Sequence, residues 1–171
     1  LGAPTQFVLT KLGGQDALLL AGPSQDGITG WWLDSAGYMA GRIELAGPRI
    51  EAMTAIERVT LAGGDFFYSA ARNTSGITTW QESQQVGLSL VAETPVSQEA
   101  GANDIFALDH LSAGGRDYLM ALSLHDNSLS NFELLADGSM RLVDSVSMRD
   151  GFNVSMPNSL AKVELGGSVF V

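Results

Sequence analysis

The chain has 171 residues, with 19 acidic against 9 basic side chains, a net charge of −10, 20 glycines and no cysteine. The missing thiols exclude cysteine nucleophiles, thiolate zinc sites and disulfide scaffolds. Nine scattered Lys and Arg against that negative charge disfavour nucleic acid and anionic lipid as partners. A hydrophobic fraction of 45% suits a globular core, and the longest apolar run, residues 17–21, is far shorter than the roughly 18 residues that span a bilayer. No membrane insertion is expected.

Along the chain, glycine pairs stand at Gly13-Gly14, Gly63-Gly64, Gly114-Gly115 and Gly166-Gly167, their second members spaced by 50, 51 and 52 residues. A leucine precedes each pair: Leu12, Leu61, Leu111 and Leu165. Five residues before each leucine comes a large apolar side chain, Phe7, Ile56, Phe106 or Leu160. Downstream of the pairs an aliphatic residue and then an aromatic recur: Ile28 and Trp31, Ile77 and Trp80, Leu129 and Phe132. A further glycine follows at Gly37, Gly87 and Gly138. Recurrence of the same features in the same order marks a repeat of about 50 residues.

Each unit divides into four short strand candidates. In the second unit they are residues 56–61, 66–71, 77–82 and 88–94. The Gly-Gly pair joins the first two strands, where positive φ is needed, and turns such as Ala136-Asp137-Gly138 join the last two. Proline falls only in the connections and no segment keeps a helical period with a cap. The expected fold is all-β, with β-propeller blades of four antiparallel strands. Blade repeats are placed at 5–53, 54–103 and 104–157, with the start of a fourth at 158–171. They form a single partial propeller domain over 1–171, with an incomplete ring. Apolar runs such as residues 17–21 then read as strands covered on both faces, and Trp31, Trp80 and Phe132 as filling between blades.

The stretches Gly27-Ile28-Thr29-Gly30-Trp31, Gly76-Ile77-Thr78-Thr79-Trp80 and Ser128-Leu129-Ser130-Asn131-Phe132, with Asp137-Gly138 beyond, resemble blades of the lactonase-like, YVTN-type seven-bladed propellers. The resemblance implies a longer ring of which this chain is a portion. The expected partners are the remaining blades of the same propeller or another copy met through the open edges. It also implies ligands at the channel mouth. The Gly-His and Trp-Asp marks of WD40 repeats are absent.

Candidate ligand residues come from one polar position seven residues before each anchor leucine: Thr5, Thr54, Asp104 and Asn158. Oxygen and amide groups in a ring would suit a hydrated cation such as calcium or a small polar ligand, whereas strand capping explains the same residue types. His125 and Asp126, in the loop His125-Asp126-Asn127, form the other candidate pair, a metal or acid/base group against a plain surface turn. His110 reads as a tolerant polar strand position beside Lys11 and Thr60. Ser69 and Ser123 read as equivalent strand ends with no partner base. No calcium loop is present in Asp137-Gly138 or in Asp34 to Gly37, and no metal, cofactor or catalytic residue is assigned. The leading expectation is a non-catalytic binding platform from a secreted or envelope protein, a cytoplasmic setting being the other. The rival is a lactonase-like hydrolase opening a cyclic ester or sugar lactone.

Overall fold

The computed structural model describes residues 6–22, 28–43, 52–71, 76–82, 87–95, 103–152, 160, 163–165 and 168–170. Three four-stranded antiparallel sheets follow one another along the chain. The first holds β1 (Gln6–Leu12), β2 (Gln15–Ala21), β3 (Thr29–Leu33) and β4 (Met39–Ile43). The second holds β5 (Met53–Leu61), β6 (Gly64–Ala71), β7 (Gly76–Glu82) and β8 (Leu88–Pro95). The third holds β9 (Ile105–Ala113), β10 (Arg116–Ser123), β11 (Ser128–Leu134) and β12 (Met140–Ser147). Each is a meander in which neighbours in sequence pair. A two-stranded hairpin of β13 (Val163–Leu165) and β14 (Ser168–Phe170) comes last. The fold is all-β in propeller blades, and among the described residues the sheets do not close into a ring.

The sheets stack through their first strands, β1 beside β5 and β5 beside β9. Between the first and second sheets, Leu12, Ala17, Leu19, Ala21 and Ile43 meet Met53, Ile56, Phe67, Trp80 and Leu88. Between the second and third, Val59, Leu61, Phe66, Tyr68, Ala70 and Ile77 meet Ile105, Leu108, Leu119, Ala121, Phe132 and Leu134. Neighbouring residues of β6 point to opposite gaps, so the second sheet is covered on both faces and its apolar run is continuous. In β2, by contrast, fully buried Ala17, Leu19 and Ala21 alternate with half-buried Leu18 and Leu20. The expectation of two covered faces therefore holds for the second sheet and not for the first.

The aromatics follow the same logic. Trp80 and Phe132 are buried between sheets, whereas Trp31 is only half-buried because it stands on the face of the first sheet turned away from the second. Its neighbour Trp32 packs into the first gap instead.

The placing of leucine and the glycine pair around each two-residue turn alters the repeat register. Gly13-Gly14 and Gly114-Gly115 are two-residue turns with positive φ throughout, as the mirror-image hairpin turns require. In the second sheet Leu61 pairs with Gly64, so the turn is Ala62-Gly63 and the glycine pair straddles its end. A Cβ on Gly63 would collide with the Ala136 carbonyl of the third sheet, so that glycine serves close approach between sheets. The third hairpin closes at Ala113 with Arg116, two residues beyond Leu111. By strand register the true mates are Phe7, Ile56 and Leu108, paired with Leu20, Ser69 and Ala121.

Candidate functional site

That shift separates two residues read as equivalent. Asp104 and Ala52 both precede a first strand in the left-handed region, at φ 55 and φ 56, so Ala52 is the mate of Asp104. Thr54 instead sits inside β5, at the irregularity between Met53 and Ala55. It is nearly fully buried, and its hydroxyl donates to the Ile105 carbonyl of the third sheet with the Ala70 carbonyl 3.3 Å away. Thr54 thus ties two blades together through their first strands. Thr5 and Asn158 lie outside the described residues.

At the start of β9 the structure brings Asp104, His125 and Asp126 to one end of the third sheet. The Leu124 amide donates to the Asp104 carbonyl at 3.2 Å. The Asp126 carboxylate accepts from the Asn103 amide at 2.9 Å, while the Asp126 amide donates to Ser123 Oγ at 3.2 Å. Ser123 Oγ in turn donates to the Asn103 carbonyl. Ser123 and Asp126 therefore lock the β10–β11 turn onto the start of β9, and His125 is exposed at its apex. Asn127 closes the turn at φ 45, a left-handed conformation that asparagine tolerates better than most residues.

Gln6 was missed in the sequence because its register mates Ala55 and Ala107 are not polar. Its side chain spans all three first strands: Oε1 accepts from the Ile56 amide at 3.1 Å and Nε2 donates to the Leu108 carbonyl at 3.3 Å. Glu57 and Asp109 were also passed over. They are half-buried register mates, opposite Tyr68 and Met120, on the innermost strands β5 and β9. An acid at one strand position in two units is a visible signal once the units are aligned on their turns.

The hairpin ends carry a second recurring set. Asp16, Asp65 and Asp117 occupy the same position near the start of the second strand. Asp16 pairs with Lys11 at 2.6 Å; Asp65 accepts from Arg58 at 2.7 Å and from Thr60 at 2.5 Å. Asp117 accepts from Ser112 at 2.6 Å and faces His110 Nε2 at 2.9 Å. The Thr60 hydroxyl, with Arg58 next, holds the Asp65 carboxyl below its usual range, and Ser112, followed by His110, does the same for Asp117. His110 is therefore the mate of Arg58, half-buried and paired, rather than the mate of Thr60.

Ser112, His110 and Asp117 have the composition of a nucleophile triad without its wiring. Both Ser112 and His110 address the same Asp117 oxygen, and Ser112 Oγ is 3.5 Å from His110 Nε2. A triad needs the imidazole between nucleophile and acid. Ser69 and Ser123 are not equivalent either: Ser69 lies inside β6 and accepts from Trp80 Nε1 at 2.8 Å, whereas Ser123 ends β10. Among the described residues no group of three His, Asp or Glu side chains is placed to hold a metal ion. The Asp34 carboxylate is occupied by its own turn, accepting from the amides of Ala36 and Tyr38 at 2.9 Å each.

An open cleft of about 580 Å³ lies at the hairpin end between the first and second sheets, lined by Thr10, Lys11, Asp16, Leu33, Arg58 and Asp65 among others. Its charged groups are already paired with each other.

No protein-family profile matches the chain, and no curated protein does. A solved structure from Bacteroides uniformis, provisionally described as a 6-phosphogluconolactonase, is similar in fold, with a TM-score of 0.60 and 16% identity. The likeness covers 93% of this chain and 44% of that one, so the chain spans less than half the length of its structural neighbour.

Proposed function

We propose that these three sheets are lactonase-like, YVTN-type blades of a protein that opens a cyclic ester or sugar lactone at the end of the propeller where the first strands begin. The observation that carries this reading is the likeness of fold to the Bacteroides protein over nearly the whole chain. Opening a lactone requires water to attack the ring carbonyl while a base takes its proton, and the ring oxygen leaves as an alcohol. Asp104 is the carboxylate we assign to that base; its left-handed backbone and the Leu124 amide on its carbonyl fix the main chain at the start of β9. Asp126 positions the turn beside it. The net charge of −10 favours an uncharged lactone over a phosphorylated one.

A second reading, a binding platform for a protein or small polar ligand, draws support from the polar groups already spent on the backbone: Thr54 on Ile105 and Asp126 on Asn103. For either reading we propose a secreted or envelope setting. Proton release at constant pH on adding glucono-δ-lactone separates the two. Release above the spontaneous rate, lost in Asp104→Asn, supports the hydrolase; release at the spontaneous rate with and without added divalent cation leaves the platform.

A further inference from the structure

The cleft of about 580 Å³ lies at the hairpin end of the first and second sheets, at the other end of the first strands from the turn that holds Asp126. One wall carries Lys11 on β1 and Asp16 on β2, an exposed pair 2.6 Å apart. The other carries Arg58 on β5 and Asp65 on β6, half-buried and 2.7 Å apart. Ala17 also lines the cleft. Its register mate in the second sheet is Phe66, which is buried against Gly138 and fills the corresponding place in the second gap. Exposed Leu9 and half-buried Leu33 add apolar surface.

Charge decides what can enter. The two cations and two carboxylates cancel, so an anion meets Asp16 and Asp65 and a cation meets Lys11 and Arg58. An ion of either sign must displace a partner already in place, whereas an uncharged group can bond to both pairs without parting them. Capacity for such bonds is left over, because an ammonium and a guanidinium carry several N–H groups and a carboxylate has about four lone-pair sites. Arg58 Nε is buried with no hydrogen-bond partner among the described residues, so an acceptor oxygen is wanted at that wall. The Thr10 hydroxyl reaches the Lys11 carbonyl only at 3.5 Å, the outer limit of a hydrogen bond.

We infer that this cleft binds an uncharged sugar ring. Sugar hydroxyls both donate and accept, so one oxygen takes an N–H of Arg58 or Lys11 while its proton goes to a spare lone pair of Asp65 or Asp16. The C–H face of the ring lies on Leu9 and Leu33. A volume of about 580 Å³ is within the range of small-molecule sites. The inference is independent of lactone chemistry, which we assign to the other end of the first strands, and it stands if no lactone is opened.

Backbone amide NMR on the 171-residue chain tests it by titration with methyl β-glucoside, methyl β-galactoside and methyl α-mannoside, with glucuronate and glucosamine as charged counterparts. The expected result is saturable shifts at the amides of Lys11, Asp16, Leu33 and Arg58 with at least one neutral glycoside, still amides at Asp104 and Asp126, and weaker binding of both charged sugars. Arg58→Met is expected to abolish the shifts. Because that change also strips Asp65 of its partner, Lys11→Ala with Asp16→Ala removes the exposed pair separately, at little cost to the fold. This double variant is expected to bind roughly fivefold more weakly or worse, the worth of one hydrogen bond. No shifts at those amides with any of the neutral glycosides overturns the proposal, and so does undiminished binding by the double variant. Tighter binding of glucuronate or glucosamine overturns it in favour of an ion site. Shifts confined to Asp104 and Asp126 overturn it and leave the lactone reading standing.

Discussion

The hydroxyl of Tyr68, buried in the second sheet, donates to the Gly138 carbonyl of the third across 3.1 Å. Burial first, and then the nearby carboxylates of Asp137 and Asp117, push the phenol upward, so it stays a neutral donor. Tyr68→Phe keeps the packing and deletes the bond, leaving a carbonyl without its partner. The expected loss is about 1 to 2 kcal/mol in urea unfolding.

The turn that receives this bond is more demanding than its counterpart in the first sheet. Gly37 and Gly138 have nearly the same backbone, φ 84 and φ 82, but only Gly138 abuts another sheet, its would-be Cβ falling on the Phe66 ring. Around Gly37 the space is open. Alanine at either site meets the left-handed penalty of about 1 to 2 kcal/mol, and Gly138→Ala adds the clash. Thermal melts are expected to rank Gly138→Ala well below Gly37→Ala; equal losses would mean that the second and third sheets do not meet there.

Trp80 and Trp31 are repeat mates with unequal cover. Trp80→Ala removes a buried ring and the donor to Ser69, at a cost of about 3 to 5 kcal/mol. Trp31→Ala is expected to cost distinctly less, since its ring is half exposed. Denaturant midpoints of the two variants check the difference.

The strand count, the 50-residue period and the turns of the first and third hairpins were open to sequence reasoning because leucine, glycine and aromatic spacing reflect local backbone needs. Register was not. Successive hairpins read Leu-Gly-Gly, Leu-Ala-Gly-Gly and Leu-Ser-Ala-Gly-Gly: Leu12 and Leu61 hold the same place while the second glycine pair slides one residue past the turn, and in the third hairpin the glycines return to the turn with Leu111 two residues further back. Counting back from leucine therefore matched Thr54 with Asp104, which the sheets place two residues apart. The same count hid the Asp16, Asp65 and Asp117 series, whose members stand one or two residues after the glycines. Gln6 bridges three strands only because the blades converge, which no single strand encodes.

Lowered carboxyl values at Asp65 and Asp117 set an acid dependence. A carboxylate held below its unfolded value, about 3.9, adds stability that is complete above that pH and lost as pH falls through the folded value. The native chain should therefore weaken steadily below about pH 4, and Asp65→Asn with Asp117→Asn should flatten that slope while lowering stability at pH 7. Unfolding midpoints between pH 2 and 7, as an order-of-magnitude window around the carboxyl range, test it. An unchanged slope would mean these carboxylates ionise alike in folded and unfolded chains.

The most direct test of stacked blades is amide hydrogen exchange on the 171-residue chain. β6 is central within its sheet and covered on both faces, whereas β4, β8 and β12 are largely exposed outer strands. The account predicts that amides of β6 and β10 exchange only through global unfolding, with the outer strands opening several orders of magnitude faster. Exchange of β6 as fast as that of β4 would contradict the stacking of three sheets around the second.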